Sequence, residues 1–308
     1  MSLTRVIHWR RRGFTAADAA TLAVTAPCLQ AITIVGSDMF RNQRIVITGG
    51  SSGLGLALAH ALAREGARLT LLARDPLKLD AAASAVQGAS PGTSVRVEPV
   101  DVADEARVSN AMERIAQSDG GMDMLINSAG ILREGYFERL PMSAFRDVME
   151  TNFFGLLNAT RAALPCLKAS RGRLVNIASL GGLAGVFGYT AYCSSKYALV
   201  GLTESLRYEL QPQGVTVHLV CPAEFDSPMV DELDTYRTPE NRAQVRTIPK
   251  SSVDTIVKGT LAGIRAGRFL IVPGGLARGA AFSLRHFPGI FRASGDRTLK
   301  KVYRGPSR

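Results

Sequence analysis

The sequence predicts an α/β fold with one doubly wound, seven-stranded parallel sheet and helices on both faces. Two observations predict it. From residue 44 onward, short β-branched runs alternate with longer Ala- and Leu-rich stretches, which is the pattern of consecutive β-α-β units. The longer stretches can cross over and cover both faces of a sheet. No repeat or long linker interrupts this order, so we expect a single domain.

The individual elements follow from this alternation. The predicted strands are residues 44–48, 68–73, 94–100, 123–127, 172–178, 215–220 and 268–272. The predicted helices include residues 54–65, 103–117, 143–168 and 192–210. Residues 223–250 are richer in proline, charge and polar side chains, and we expect an irregular segment or a lid there.

Charge divides the 308-residue chain into three parts. Residues 1–44 carry six Arg against two Asp, residues 275–308 carry eight Lys or Arg against one Asp, and the body between them carries 23 of each sign. We expect an N-terminal extension at 1–42, a catalytic domain at 43–274 and a basic amphipathic tail at 275–308. The net charge of +11 therefore lies at the ends. A neutral body without a recognisable module argues against a nucleic-acid partner.

The N-terminal extension has two interpretations. Arg10, Arg11 and Arg12 precede an uncharged stretch at 19–37, as in an export signal or an anchor. That stretch contains Pro27 and several polar residues, which makes it a poor membrane span. The alternative is that translation begins at Met39 and that the preceding residues are a start-site artefact.

The four cysteines and four histidines are scattered along the chain. None has the spacing of a metal finger or a CxxC pair. This pattern argues against a disulfide framework and favours a reducing compartment, and it predicts no metal site. We therefore expect a cytoplasmic protein, with peripheral contact to a membrane surface left open.

A glycine-rich segment follows the first predicted strand. Residues 48–55 read Thr-Gly-Gly-Ser-Ser-Gly-Leu-Gly and lead into a predicted helix. Glycine lets the backbone approach a pyrophosphate, and the start of a helix offers free N–H groups to phosphates. The second predicted strand ends at Arg74 rather than at an acidic residue. A guanidinium there favours the 2′-phosphate of NADPH, although Arg74 could equally be a solvated loop residue.

A second set of residues predicts proton transfer. Tyr192 and Lys196 are four residues apart and therefore share a helix face. A nearby ammonium stabilises phenolate and lowers the pKa of a tyrosine, which would make Tyr192 an acid or base. Ser179 ends a predicted strand and can hydrogen-bond a substrate oxygen. Taken alone, such a pair is usually found on a protein surface.

These motifs in this order resemble the short-chain dehydrogenase/reductase family in its short, single-domain form. The resemblance covers residues 43–272. It rests on Thr48, Gly49, Gly53 and Gly55, on the Asn-Ser-Ala-Gly sequence at 127–130, and on Tyr192 with Lys196. It implies a Rossmann-type fold that binds NADP(H).

The resemblance also implies roles for individual residues. Asn152 would complete a catalytic tetrad with Ser179, Tyr192 and Lys196, holding a water in a proton relay, and Lys196 would bind the nicotinamide ribose. The implied cofactor-binding residues are Thr48, Gly49, Ser51, Ser52, Gly53, Leu54, Gly55, Arg74, Asp101, Val102, Asn127, Ala129, Gly130, Tyr192, Lys196, Pro222 and Ser227.

Two positions depart from the family pattern. Ser128 stands where a second asparagine is usual, and we expect little effect because neighbouring backbone atoms carry most of the role. Ala223 follows Pro222 where the family commonly has glycine, which puts the local geometry in doubt. The family further implies a homodimer or homotetramer packed through the helices that contain Asn152 and Tyr192.

The expected reaction is NADPH-dependent interconversion of a ketone and a secondary alcohol. Residues 187–192 and the Ala73-Arg74 pair are similar to those of 3-ketodihydrosphingosine reductases and other membrane-associated lipid ketoreductases, which implies a lipid-like 3-oxo substrate. A soluble small-ketone or steroid reductase, an acyl-thioester reductase and a non-catalytic NADPH-binding regulatory protein remain alternatives.

The C-terminal tail also has two interpretations. Five apolar residues alternate with arginines there, and such a basic amphipathic stretch can lie on an anionic membrane. The alternative is a helix packed on its own domain and followed by a solvated tail. The apolar residues are Phe282, Leu284, Phe287, Ile290 and Phe291, and the arginines are Arg278, Arg285 and Arg292.

Overall fold

Seven parallel strands form one sheet in the order β3-β2-β1-β4-β5-β6-β7. The computed structural model describes residues 39–248 and 250–304, so the predictions for 1–38 lie outside the described residues. The strands are β1 (Arg44–Thr48), β2 (Arg68–Ala73), β3 (Val95–Pro99), β4 (Met124–Asn127), β5 (Arg173–Ile177), β6 (Thr216–Val220) and β7 (Leu270–Ile271). The predicted fold class is confirmed.

Helices cover both faces of the sheet. They are α1 (Gly53–Arg64), α2 (Pro76–Ala89), α3 (Glu105–Asp119), α4 (Met142–Met149), α5 (Gly155–Ser170), α6 (Thr190–Leu210), α7 (Pro228–Asp234), α8 (Pro239–Val245), α9 (Val253–Arg265), α10 (Gly275–His286) and α11 (Pro288–Arg304). Within the described residues, none of these helices is long and apolar enough to span a membrane.

The central strands are buried on both faces, which explains their continuous apolar composition. On one face, Leu58 and Leu62 of α1 pack in a core cluster with Ile47 of β1 and Ile126 of β4. On the other face, helices α3 and α5 lie side by side over the sheet. Each fully buried leucine contributes roughly 2 kcal/mol to folding.

The last strand is shorter than predicted. We expected residues 268–272, but β7 spans Leu270–Ile271 and pairs with β6 alone. It is an edge strand. Before the strand, the Arg268 carbonyl accepts a hydrogen bond from Nδ1 of His218 at 2.6 Å, and after it Pro273 has no N–H to donate to a ladder.

The predicted helix at 143–168 is interrupted. A π-helical turn, Glu150–Phe154, separates α4 from α5. Such turns change which way side chains face, and this one contains Asn152. The periodicity of the sequence carries no sign of it, because the apolar pattern continues on both sides.

The site lies where the strand order changes direction. Strands β2 and β4 flank β1, so the crossovers that follow β1 and β4 run to opposite sides. In open α/β sheets, ligands bind outside the carboxyl ends of the strands at this switch point. The loops after β1, β4, β5 and β6 meet there.

Candidate active site

A cleft with a volume of about 250 Å³ opens at the carboxyl ends of the strands. The loops after β1, β4, β5 and β6 form its base, α7 and α8 form one wall, and Leu284 of α10 and Phe291 of α11 also line it. Most of its exposed lining is apolar, including Leu132, Val186 and Ile248. The cleft can therefore hold a polar cofactor beside an apolar ligand.

The glycine-rich loop is packed tightly against the loop after β4. The hydroxyl of Thr48 accepts hydrogen bonds from the backbone N–H groups of Ser128 (3.2 Å) and Ala129 (3.3 Å). A Cβ on Gly49 would lie 2.7 Å from the nitrogen of Ala129, and a Cβ on Gly55 would overlap the Gly49 carbonyl. These two positions require glycine for close backbone approach.

The start of α1 fits a phosphate group. Gly53 has φ of +55°, and a Cβ there would meet open space on the cleft side. Ser52 is the N-cap residue, yet its side chain makes no capping hydrogen bond. The first N–H groups of the helix and the Ser52 hydroxyl are therefore available to an anion. The residues present thus fit the pyrophosphate of a dinucleotide.

Arg74 and Asp101 lie next to each other at the carboxyl-terminal edge of the sheet. They follow β2 and β3, and Nη1 of Arg74 is 3.8 Å from Oδ2 of Asp101. Oδ1 of Asp101 accepts a hydrogen bond from the backbone N–H of Ala103 at 3.0 Å. The Arg74 side chain is 62% exposed, so its guanidinium can turn toward a ligand at low cost.

Two predicted cofactor-binding residues have their side chains engaged elsewhere. Nδ2 of Asn127 donates to Thr160 Oγ1 (2.9 Å) and to Asn176 Oδ1 (3.0 Å), forming a buried polar link across β4 and β5. The side chain of Val102 packs against Gly155. A Cβ added at Gly155 would lie 2.6 Å from Cγ2 of Val102. A contact from either residue to a cofactor would have to come from its backbone.

The predicted cofactor-binding residues as a whole divide into two groups. Those that line the cleft are Gly49, Ser52, Gly53, Leu54, Ala129, Gly130, Tyr192, Lys196, Pro222 and Ser227. Those that do not line it are Thr48, Ser51, Gly55, Arg74, Asp101, Val102 and Asn127.

Asn152 connects three parts of the site. It is fully buried in the π-helical turn. Its Oδ1 accepts from the Ile131 N–H at 2.7 Å, and its Nδ2 donates to the Ile131 carbonyl and to Ser195 Oγ, both at 2.9 Å. Ser195 in turn donates to the Tyr192 carbonyl at 2.7 Å. Asn152 therefore fixes the loop after β4 to the helix that carries Tyr192.

Ser179, Tyr192 and Lys196 converge at the base of the cleft. A hydrogen bond joins the side chains of Tyr192 and Ser179. Nζ of Lys196 lies 5.6 Å from the centre of the Tyr192 ring and donates to the Ile177 carbonyl at 3.1 Å. A Cβ on Gly130 would lie 3.7 Å from that Nζ, so the lysine also faces the loop after β4.

Burial has the largest effect on the pKa values of Tyr192 and Lys196. It raises the pKa of Tyr192 to about 12, while the hydrogen bond with Ser179 acts in the opposite direction. It lowers the pKa of Lys196 to about 8. We expected Lys196 to lower the pKa of Tyr192, but desolvation is the larger effect here. The phenol is consequently protonated at neutral pH and can donate a proton.

A group of ion pairs holds the wall of the cleft. The guanidinium of Arg237 is bidentate to Glu224, at 3.1 and 2.8 Å, and its Nε lies 3.1 Å from Asp234 Oδ1. Lys250 joins them, 3.0 Å from Asp226. Glu224 lies two residues after Pro222 and lines the cleft. These pairs fasten the segment after β6 to α7.

Sequence reasoning missed this ionic group. The only signal was the charge-rich composition of 223–250, which predicted an irregular segment but gave no pairing. That segment is partly helical, containing α7 and α8. Helix α8 is anchored through Tyr136, whose hydroxyl donates to Glu240 at 2.9 Å, and through Asn241, whose Nδ2 donates to the Phe187 carbonyl at 2.6 Å.

The C-terminal apolar residues fall into two groups, one that lines the cleft and one that is exposed. Leu284 and Phe291 line the cleft, as expected for helices that pack on their own domain. Phe282, Phe287 and Ile290 are more than half exposed. Part of the tail therefore packs on its own domain, and contact of the exposed part with a membrane stays a prediction.

Known proteins share this arrangement. Residues 43–238 match the family model described as short chain dehydrogenase. The chain is 34% identical over 229 residues to the 3-dehydrosphinganine reductase of Danio rerio, covering 73% of this chain and 69% of the relative. It is 36% identical over 227 residues to the 3-ketodihydrosphingosine reductase of Mus musculus, covering 71% and 68%.

Two further comparisons concern different substrates. A putative ketoacyl reductase of the granaticin polyketide synthase from Streptomyces violaceoruber is 37% identical over 191 residues, covering 61% of this chain and 70% of the relative. The crystal structure of levodione reductase superposes with a TM-score of 0.72 at 28% identity, covering 79% of this chain and 99% of that one.

Proposed function

The chain belongs to the short-chain dehydrogenase family and is an oxidoreductase of the ketoreductase type, and from this premise we propose that it reduces a lipid-like 3-oxo substrate with NADPH. The observation that carries the proposal is the apolar cleft over Tyr192. A cleft of this composition suits an alkyl chain next to a reacting ketone. Two relatives named as reductases of 3-dehydrosphinganine and 3-ketodihydrosphingosine support the same substrate class.

Arg74 supports NADPH over NADH. Members of the family use a nicotinamide dinucleotide, and those that take NAD place a carboxylate at the end of the second strand for the ribose 2′-hydroxyl. Here β2 is followed by Arg74, whose Nη1 is 3.8 Å from Oδ2 of Asp101. A largely exposed guanidinium can pair with a 2′-phosphate through its planar fork.

The residues at the base of the cleft divide the chemistry between them. The chemistry that NADPH would supply here, when bound, is hydride transfer to the carbonyl carbon. Tyr192 donates the proton to the carbonyl oxygen, because its raised pKa keeps the phenol protonated at neutral pH. Ser179 hydrogen-bonds the same oxygen as negative charge develops on it. Lys196 holds the ribose and places a positive charge beside the phenolate that remains.

Asn152 acts through its neighbours. Its three hydrogen bonds set the position of the loop at Ile131 and of the helix turn at Ser195. We propose that it also orders a water that reprotonates Lys196 and, through it, Tyr192. These four residues form the proposed catalytic tetrad.

Three further features belong to this proposal. Residues 43–274 form the catalytic domain, and Leu284 and Phe291 from the segment that follows complete the wall of its cleft. The protein assembles as a homodimer or homotetramer through α5 and α6. It is cytoplasmic and contacts a membrane peripherally through the C-terminal tail.

The substrate class is tested with a panel of ketones. NADPH oxidation is followed by absorbance with long-chain 3-oxo lipids and with small cyclic ketones, all in the same detergent micelles. Turnover of the lipids with a higher kcat/KM supports the proposal. Turnover of the small ketones alone would instead favour a soluble carbonyl reductase, the function that the likeness to levodione reductase suggests.

A further inference from the structure

A second groove lies behind the active-site cleft, between α6, β7 and α10. Its volume is about 760 Å³. Apolar side chains form much of its surface, among them Leu183, Val200, Phe269 and Phe282. Leu284 lines both this groove and the active-site cleft, so the two spaces share one side chain as a wall. Nothing in the proposed reaction uses the groove.

Four arginines converge on this apolar surface. Arg207, Arg268, Arg278 and Arg285 all line the groove, against Glu204 as its one acidic lining residue. Among residues 39–248 and 250–304, none of the four arginines forms an ion pair. Gathering like charges without partners is unfavourable, and an anionic ligand would relieve the repulsion.

Arg207 is held in place by aromatic rings. Its guanidinium carbon lies 5.3 Å from the centre of the Phe269 ring and 5.5 Å from that of Tyr208. Cation–π contacts of this kind orient a guanidinium while leaving its N–H groups free to bind an anion.

The groove continues into an exposed apolar rim. The ring of Phe282, which lines the groove, lies 4.3 Å from that of His286 and 6.5 Å from that of Phe287. Phe282, Phe287 and Ile290 are 59%, 53% and 71% exposed. Large apolar side chains clustered on a surface and flanked by arginines are typical of a face that enters the lipid headgroup region.

We propose that this groove binds an anionic phospholipid of a membrane surface. An acyl chain lies against Leu183, Val200 and Phe269, and the headgroup phosphate pairs with the four arginines. The site is separate from the catalytic cleft and does not depend on which ketone is reduced. Because Leu284 is shared, a membrane at this groove would lie beside the wall of the cleft, where an apolar substrate could enter from the bilayer.

The test measures binding of the full-length protein to vesicles by co-sedimentation. Vesicles of phosphatidylcholine alone are compared with vesicles that also contain phosphatidylglycerol. We expect tight binding only to the second kind. In Arg278→Gln/Arg285→Gln, the apparent Kd for these vesicles should rise about 30-fold, because each basic side chain near an anionic surface contributes about fivefold.

Matched variants separate the groove from general charge. Arg107→Gln/Arg146→Gln removes the same charge from exposed positions on α3 and α4, and Lys300→Gln/Lys301→Gln removes it from the end of α11. Both should bind nearly as tightly as the unchanged protein. An equal loss in all three variants would overturn the proposal, since any basic surface would then serve.

A single substitution tests the apolar part of the groove and keeps all four arginines. Phe282→Ser should also weaken binding to the anionic vesicles. NADPH affinity and melting temperature check that each variant is folded.

If Arg278→Gln/Arg285→Gln instead dissociates an oligomer in sedimentation velocity and leaves vesicle binding unchanged, the groove is an interface between copies of the chain and the proposal is wrong. Failure of ketone turnover would not affect this test, because vesicle binding is measured without substrate.

Discussion

The pKa values of Tyr192 and Lys196 differ from their ordinary values in opposite directions, and for one reason. Both are buried at the base of the cleft, and burial disfavours the charged form of each. The pKa of Tyr192 rises to about 12 and that of Lys196 falls to about 8. At neutral pH the tyrosine is a phenol and the lysine is mostly an ammonium. This protonation state suits a proton donor, and hence ketone reduction, better than alcohol oxidation.

The Lys196 titration predicts the alkaline limit of the reaction. Lys196 carries its charge below its folded-state pKa and loses it as the pH rises through about 8. We expect kcat for ketone reduction to fall above that pH, well before Tyr192 ionises. The measurement is the pH profile of kcat at saturating NADPH. Lys196→Arg should move the limit to higher pH, and an unshifted limit in that variant would assign it to another group.

Arg74 provides a test of cofactor choice. Arg74→Ala should raise the Kd of NADPH about 10- to 100-fold, the equivalent of one charge-assisted hydrogen-bonded contact, and leave the Kd of NADH nearly unchanged. Fluorescence titration of both cofactors measures this. Arg114→Ala is the control, because Arg114 is as exposed as Arg74 and is also paired with a carboxylate, that of Glu98, but does not belong to the predicted cofactor-binding residues. An equal loss of affinity for NADPH and NADH would contradict the role of Arg74.

At the scale of the elements, local sequence signals determine what could be predicted. The bounds of β1 and β2 match the prediction at both ends, because each is a mainly apolar run, with Gly49 directly after the first and Arg74 directly after the second. Helix α2 was not predicted, although Asp75 caps it by accepting from the Lys78 N–H and Pro76 begins it, which is a typical helix start.

Other elements depend on contacts that sequence does not display. The π-helical turn at Asn152 is held by hydrogen bonds to Ile131 and Ser195, residues 21 and 43 positions away. The short β7 results from an edge position with one neighbour. The site residues were recognised from motifs, but the burial that sets their pKa values, and the pairing of Arg237 with Glu224, arise only from tertiary structure.

The Glu224–Arg237 pair predicts how the wall of the cleft is held. The Arg237 side chain is 3% exposed and has two carboxylates beside it. Arg237→Met should destabilise the protein by about 3 kcal/mol, the low end for breaking a buried ion pair, because Glu224 keeps only its weaker contacts with Lys250 (3.9 Å) and the Tyr189 hydroxyl (3.4 Å). It should raise KM for the ketone more than it changes the Kd of NADPH. Urea unfolding and steady-state kinetics measure the two effects.

Two outcomes would argue against this role. If Arg237→Met unfolds at the same urea concentration as the unchanged protein, the pair does not stabilise the segment after β6. If the double variant Glu224→Gln/Arg237→Met loses as much stability as the two single changes added together, the residues act independently.

At the scale of the whole molecule, the C-terminal helices connect the fold to substrate choice. Phe291 belongs to the last helix in the chain, yet it lines the same cleft as Tyr192. Composition predicted a basic tail and left its position open between the domain and a membrane. The structure has apolar side chains on both sides of these helices, so one segment contributes both to the cleft and to the exposed surface.

Removing the apolar contribution of this segment should affect long substrates alone. Leu284→Ala/Phe291→Ala is expected to raise KM for long-chain 3-oxo lipids about tenfold, since two large apolar contacts are lost. KM for a small ketone should stay nearly constant, because its carbonyl binds at Ser179 and Tyr192. An equal rise for both substrates would indicate that the helices support the cleft rather than contact the chain of the substrate.

The central claim is that Tyr192 donates the proton in an NADPH-dependent ketone reduction. The most direct measurement compares NADPH oxidation by the unchanged protein and by Tyr192→Phe with the best ketone of the panel, alongside the Kd of NADPH for each. We predict that the variant binds NADPH with nearly unchanged affinity and loses at least 100-fold in kcat, the typical contribution of a general acid. Unchanged turnover in Tyr192→Phe would contradict the account.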